Sequence, residues 1–320
     1  MIKVGIIGAD SPDAGELLRI LIHHPEVDIR SLYAPAWAGR MVTSRHHGFL
    51  GEDIVNFSEK LDPSHLDIVF LADNSEKGTN ILLNSESIPE LRIVDMSPAR
   101  IDRCDSFGME YGLSEANRKP LVRGARIAVV PTPAAALALI SLYPLAMNQL
   151  LNSDIEITID APRPIAPTID IERLNHEITS FLQKTQNNFN GKINIYIRPC
   201  DSGRSMRVSS VFKSPLAIAE VDNIFESVYD DHNFTFTSLS EVNRLEVEGT
   251  HKCIVSIQKP GAGLLEITAV GDCHIRGGAG DAVHIMNLFF ALDEKVGLHL
   301  KPSCFSADKT DTGKSVSWFA

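Results

Sequence analysis

Alternation of short apolar strands with helical segments constrains the first half of this chain most strongly. A β-branched run at 3–8 leads through a turn of small and polar residues into a stretch with apolar residues at helical spacing. Buried-type strands follow at 66–72, 91–97 and 125–131, the last before a long apolar helix. Such strands are typical of a parallel sheet with helices on both faces. The pattern predicts an α/β, Rossmann-type doubly wound domain over residues 1–150.

A different pattern begins after Asn152 and predicts a second domain. Strands of alternating side-chain character follow, with helical stretches at 171–187 and 215–230 between them. This favours an α+β domain, with a mostly antiparallel sheet, over residues 151–276. In the family identified below, this second domain is the one that binds substrate and forms dimers.

The C-terminal part of the sequence divides into a helical segment and a polar tail. A helix is predicted at 279–293, within a segment of about 277–305 that we expect to pack back on the first domain and complete it. Residues 306–320 are polar and small, which predicts a flexible tail.

Composition excludes several classes of function. The formal net charge of -11 argues against a nucleic-acid or acidic membrane partner, because phosphate-binding surfaces are usually basic. The longest apolar runs contain prolines and fall short of the ~20 residues that a membrane span requires. The five cysteines are dispersed without metal-site spacing, which favours reduced thiols in a cytoplasmic protein that binds no metal.

The turn after the first strand has the pattern of a dinucleotide-binding turn. Gly5 and Gly8 precede Ser11 and Ala14 at the next two small-residue positions. Such a turn lets the backbone approach a pyrophosphate at the positive end of the following helix. A tight strand-to-helix turn without ligand is the alternative interpretation, which we rank slightly lower.

Several further segments carry a resemblance to one enzyme family. The turn resembles a GxxGxxG motif, and DMSPAR, EYGLSEANR, LLNSDI and RGGAGDAVHIMNLFFALDE follow it in order. Together they resemble the N-acetyl-gamma-glutamyl-phosphate reductases of the semialdehyde dehydrogenase superfamily. The resemblance implies a Rossmann domain that carries NADP and a second domain for substrate binding and dimerisation. It also implies NADPH-dependent reduction of an acyl phosphate to a semialdehyde.

The family's nucleophile is absent from the position that the resemblance assigns to it. Members carry a cysteine in an Asn-Pro-Gly-Cys turn that opens the long apolar helix, and this turn falls on residues 130–133 here. Pro133 occupies the cysteine position. A thiolate at a helix N-terminus suits attack on an acyl phosphate, whereas proline offers no nucleophile. The neighbouring Thr132 hydroxyl is too weakly acidic to act alone, and the sequence shows no base placed for it.

Two other family motifs are also missing. The glycine-rich and serine-rich substrate loop is replaced by PRPIAPTIDIE, which is shorter. The family's acid/base histidines align with Glu172 and Leu174, next to the matching pair Glu177 and Ile178. His176 lies at the position of a family proline, and a lone helical histidine is more often a packed or exposed residue than a catalyst.

The cofactor positions are retained unevenly. Arg40 is the cation at the end of the second strand, where the family binds the 2′-phosphate, and Trp37 lies beside it as a candidate for stacking on adenine. The segment containing Gly277, Gly278 and Gly280 faces the nicotinamide in the family, although a glycine-rich helix start also serves packing. We therefore expect weak NADP binding or none.

Three residues are candidates for substitute roles. Cys273 lies near a histidine and an arginine that would lower its pKa, although a buried, inert thiol is the more frequent case. Arg204 aligns with the arginine of the family's Pro-Arg-Gly run and, with Arg207, is a candidate anion site. Arginines on a strand are as often solvated or paired with carboxylates.

The combined losses favour a divergent, non-catalytic paralogue with a structural or regulatory role. Nucleophile, acid/base histidine and substrate loop act as a unit in catalysis, and all three are gone. We expect a homo-oligomer, a dimer or tetramer, that associates in one scenario with an active reductase. The alternative is an active NAD(P)-dependent oxidoreductase, either of the acyl-phosphate type or shifted to a reaction that needs no thiol.

Overall fold

A computed structural model of the chain describes residues 1–238, 240–261 and 263–302. The tail predicted at 306–320 lies outside the described residues. In the described part of the chain, seven parallel strands form a first sheet in the order β3-β2-β1-β4-β5-β7-β6. Its strands are β1 (Ile2–Ile7), β2 (Val27–Tyr33), β3 (Phe57–Ser58), β4 (Ile68–Leu71), β5 (Arg92–Asp95), β6 (Glu110–Tyr111) and β7 (Ile127–Val129).

Helices connect these strands as expected for a doubly wound sheet. All four residues of β4 are buried, because helices cover both faces of the sheet. The short strands β3 and β6 at its two edges carry too few residues for a periodic signal, and the sequence did not predict them. The helices of this half are α1 (Pro12–Leu21), α2 (Glu76–Leu83), α3 (Cys104–Phe107), α4 (Ser114–Arg123) and α5 (Pro133–Met147).

The second sheet is mixed. Among the described residues it has the order β11-β12-β13-β10-β8-β9, with three antiparallel and two parallel pairings. The elements are β8 (Ile155–Pro162), α6 (Ile171–Thr185), β9 (Ile193–Cys200), β10 (Ser205–Lys213), α7 (Ile218–Tyr229), β11 (Thr235–Ser238), β12 (Cys253–Gln258), β13 (Leu264–Asp272) and α8 (Gly280–Phe289). The predicted fold class, a Rossmann-type sheet followed by an α+β part with a mostly antiparallel sheet, is confirmed.

Two apolar cores anchor the helices that matter for the site. Helix α5 is apolar on all sides and packs, with α6 and α7, on one face of the second sheet. Helix α8 packs instead with α1 and the first sheet, as predicted. It ends at Phe289, earlier than the sequence indicated, and Ala291 has a φ of 51°, outside helical backbone.

Candidate functional site

The N-terminus of α5 is the position to which the family resemblance assigns the nucleophile. Pro133 is the first residue of this helix, where the missing N–H of proline has no consequence for helical hydrogen bonding. Thr132 is the N-cap, yet its side chain does not cap the helix. Its hydroxyl donates instead to Glu177 Oε2 at 2.8 Å, and its N–H donates to Glu177 Oε1 at 3.1 Å.

Glu177 is therefore the base that the sequence did not reveal, and the expectation that Thr132 has no base beside it was wrong. The carboxylate lies on α6, is buried, and also accepts the Tyr111 hydroxyl on Oε1 at 2.7 Å. Burial, together with the negative charge of Glu177, raises the pKa of Tyr111 well above its usual value, so the phenol stays a donor. The alignment singled out Glu177 only as a family match, because 45 residues separate it from Thr132.

The glycine-rich turn Ile275–Ala279 lies directly against this helix start. Gly277 has a φ of 71°, and a Cβ at this position would overlap the backbone of Pro133. Its N–H donates to Asp281 Oδ2 at 2.5 Å. Gly278 has open space where a Cβ would lie, and Gly280 begins α8 against Ile275. The structure thus brings the turn and the predicted nucleophile position together.

A buried ionic cluster holds the turn from below. Arg276 is fully buried and donates to Asp281 Oδ1 at 2.9 Å and to Thr235 Oγ1 at 2.8 Å, and it pairs with Glu115. Burial alone would raise the pKa of Glu115, but the Arg276 guanidinium lowers it to about 2. Neither Arg276 nor Glu115 was singled out from the sequence, in which 161 residues separate them.

One group of side chains in this cluster has the donor types of a metal site. The ligand atoms of His251, Asp281 and His284 lie within 4.8 Å of one another. However, Arg276 Nη1 is 3.2 Å from His251 Nε2 as well as bonded to Asp281, so a guanidinium already supplies the positive charge there. Burial and Arg276 lower the pKa of His251 to about 4, which keeps the ring neutral.

The turn between β1 and α1 contains the other predicted cofactor residues. Gly8 has a φ of 72°, and the Ser11 hydroxyl caps α1 by accepting the N–H of buried Ala14 at 3.1 Å. The N–H groups of Gly8 and Ala9 both donate to the Tyr33 carbonyl oxygen at 3.1 Å. Several amides that a pyrophosphate would use are therefore already bonded within the protein.

Arg40 lies beside this turn, on the segment that follows β2. It is exposed, and its guanidinium stacks over the Trp37 ring at 5.2 Å from the centroid. Trp37 also contacts Phe57, with ring centroids 6.4 Å apart. The face of Trp37 predicted to receive adenine thus meets an arginine.

The two arginines predicted to hold an anion both face carboxylates. Arg204 donates to Glu16 at 2.8 and 2.9 Å and to Asp272 at 2.7 Å, which joins α1 to the end of β13. Arg207 donates to Glu241 Oε1 at 3.0 Å. These contacts match the carboxylate-paired interpretation weighed from the sequence.

The described thiols are dispersed. Burial raises the pKa of both Cys253 and Cys273 to about 12, so each is a neutral thiol at pH 7. Cys104 and Cys200 are half-buried.

A cavity of about 300 Å³ adjoins Glu177 between the two halves of the molecule. Its walls come from the segment around α3 and from α6, and they include His176, which is exposed. The lining residues are Ile101, Cys104, Tyr111, His176, Glu177, Ser180, Phe181 and Lys184.

Comparison with known proteins identifies the family. Residues 3–123 match the family described as semialdehyde dehydrogenase, NAD binding domain. The N-acetyl-gamma-glutamyl-phosphate reductase of Phocaeicola vulgatus is 33% identical over 325 residues, which cover 95% of this chain and 100% of the relative. That of Bacteroides thetaiotaomicron is 32% identical over the same coverage. The chain belongs to the N-acetyl-gamma-glutamyl-phosphate reductase family.

Solved structures support the same fold at lower sequence identity. Aspartate semialdehyde dehydrogenase II from Vibrio cholerae, complexed with ASA, has a TM-score of 0.67 and 13% identity, covering 91% of this chain and 98% of its own. Aspartate semialdehyde dehydrogenase with NADP from Candida albicans has a TM-score of 0.63 over 92% of this chain and 99% of its own. Within the described residues, no helix has the length and apolar character needed to span a membrane.

Proposed function

We propose that this reductase-family member does not reduce an acyl phosphate through a thioester and instead has a structural or regulatory role. The observation that supports this proposal most directly is the start of α5, where Pro133 occupies the family's cysteine position. A thioester requires a thiolate at the place where the acyl carbon meets the hydride donor. The shortened substrate loop and the missing acid/base histidines remove the remaining parts of that mechanism.

The substitute nucleophile considered from the sequence fits this proposal. Cys273 is only 5% exposed, and burial followed by the Asp272 charge raises its pKa to about 12. At pH 7 almost all of this thiol is protonated, and a thiol attacks an acyl carbon far more slowly than a thiolate.

The protein's role would then depend on its surfaces. A homo-oligomer, or association with an active reductase of the same family, agrees with a fold that is retained while catalytic groups are lost. The second sheet leaves Tyr196 half exposed on its edge strand, with Arg198 paired to Asp160 beside it. Aromatic and arginine side chains of this kind are enriched in protein interfaces.

An active NAD(P)-dependent oxidoreductase is the second candidate. The match to an NAD-binding domain over residues 3–123 favours it. Against tight binding, the β1–α1 turn uses the Gly8 and Ala9 amides internally, and Pro12 has no N–H. We therefore propose that NADP binds weakly at this turn, if the nucleotide site is retained at all.

Nicotinamide fluorescence separates the two candidates. We expect titration of the full chain with NADPH to show weak binding or none, and NADPH with an acyl phosphate to give no oxidation above background. Pro133→Cys should not restore turnover, because the substrate loop is still missing. Tight NADPH binding would favour the oxidoreductase, and NADPH oxidation by wild type or by Pro133→Cys would contradict the proposal.

A further inference from the structure

The start of α5 keeps a hydroxyl nucleophile hydrogen-bonded to a carboxylate. The Thr132 hydroxyl lies 2.8 Å from Glu177 Oε2, within the range in which a base accepts a proton directly. Thr132 is half-buried, so its hydroxyl is accessible from one side. Because the side chain bonds Glu177 instead of capping its own helix, the hydroxyl proton already points to the carboxylate.

Glu177 is held in one orientation by two further donors. Tyr111 O–H and the Thr132 N–H both bond Oε1, which leaves Oε2 toward the Thr132 hydroxyl. A nucleophile, a base and a group that orients the base form the arrangement found in acyl-transfer enzymes. The positive end of the 15-residue helix α5 favours negative charge that develops on an attacked acyl group.

Space for a small acyl group adjoins this pair. The cavity of about 300 Å³ is bordered by Glu177 and Tyr111 and has apolar walls from Ile101 and Phe181. This volume is at the lower end of ligand pockets, which restricts the substrate to a short acyl chain.

We propose that Thr132 and Glu177 hydrolyse small activated acyl compounds, of which acyl phosphates are the class that best fits this pair and cavity. The inference goes beyond the proposed function, which concerns reduction, and does not depend on nucleotide binding.

The reaction balances without an oxidant or reductant. Thr132 Oγ1 attacks the acyl carbon, its proton passes to Glu177, and the bond from the acyl carbon to the phosphate oxygen breaks. The departing phosphate takes the proton from Glu177. Water then attacks the Thr132 ester, gives its proton through Glu177 to the threonine oxygen, and releases the carboxylic acid. The sum is acyl phosphate plus water giving a carboxylic acid and phosphate.

Phosphate release from acetyl phosphate tests the proposal with the full chain. We expect release above the protein-free rate and, after acid quench, one acetyl group on the peptide that contains Thr132. Thr132→Val and Glu177→Gln should each lower the rate by about 100-fold or more, the usual contribution of a general base. Thr132→Ser should keep activity within about tenfold, because it keeps the hydroxyl that the base activates.

Control variants separate chemistry from folding. Thr168→Val removes an exposed threonine hydroxyl that bonds only its neighbouring turn at 2.8 Å, and it should leave the rate unchanged. Cys104→Ser should do the same, although its thiol lines the cavity. The proposal is overturned if wild type releases no excess phosphate, if Thr132→Val remains active, or if the acetyl group is found on Cys104. NADPH oxidation is scored separately, so failure of one proposal leaves the other intact.

Discussion

Two glycine-bearing turns precede helices in this molecule, and they are stabilised in different ways. The β1–α1 turn is held by local bonds: Ser11 caps its own helix, and Gly8 donates to the adjacent strand. The turn Ile275–Ala279 is held by Arg276, whose partner Glu115 lies 161 residues away, and by backbone contact with Pro133. Local bonds tolerate substitution, whereas a buried long-range network does not.

This difference matters for function. The turn at Ile275–Ala279 lies against the helix start where the family carries its nucleophile, so its shape is required for packing even when Pro133 replaces cysteine. The β1–α1 turn has no comparable buried support. Substitutions at the two turns therefore separate positions kept for packing from positions available for a ligand.

Removing the buried guanidinium should produce the largest effect. Arg276→Met leaves Glu115 and Asp281 as buried carboxylates without their cation, and we expect the free energy of unfolding to fall by about 3–5 kcal/mol. Chemical denaturation followed by circular dichroism measures this loss. Arg40→Met, at an exposed position, serves as the control and should change stability by less than about 0.5 kcal/mol. Equal losses in the two variants would show that the cluster does not support the turn.

A single methyl group on the same turn should have the next largest effect. In Gly277→Ala the new Cβ overlaps the Pro133 backbone and the residue keeps a φ of 71°, so we expect a loss of about 2–4 kcal/mol. The matched control is Gly278→Ala, where a Cβ meets nothing within 4 Å. Thermal unfolding of both variants tests the contact with α5. A Gly277→Ala protein as stable as Gly278→Ala would contradict the packing described here.

The β1–α1 turn should respond least. Ser11→Ala removes the side-chain cap of α1 and should lower the free energy of unfolding by about 1 kcal/mol. Ser31→Ala, which loses only a long contact of 3.5 Å, is the control on the neighbouring strand. A loss at Ser11 as large as that at Arg276 would erase the difference between the two turns.

The sequence predicted the fold more fully than the site. Strand and helix periods are local, so the doubly wound first sheet, the mixed second sheet and the packing of α8 followed from short windows. Edge strands β3 and β6 have two residues each and carry no period. The bounds of α8 were too long at its C-terminus, because no glycine or proline there announced the break before Ala291.

What the sequence determined by itself is the family, through the order of its motifs, and the absence of a cysteine at Pro133. Both are properties of residues in series. The tertiary structure alone decided that Glu177 bonds Thr132, that Arg204 faces Glu16, and that Arg276 replaces a cation between His251 and Asp281. Hydrogen bonds and charge pairs form between side chains that distant elements bring within about 3 Å, and no local spacing in the chain encodes that distance.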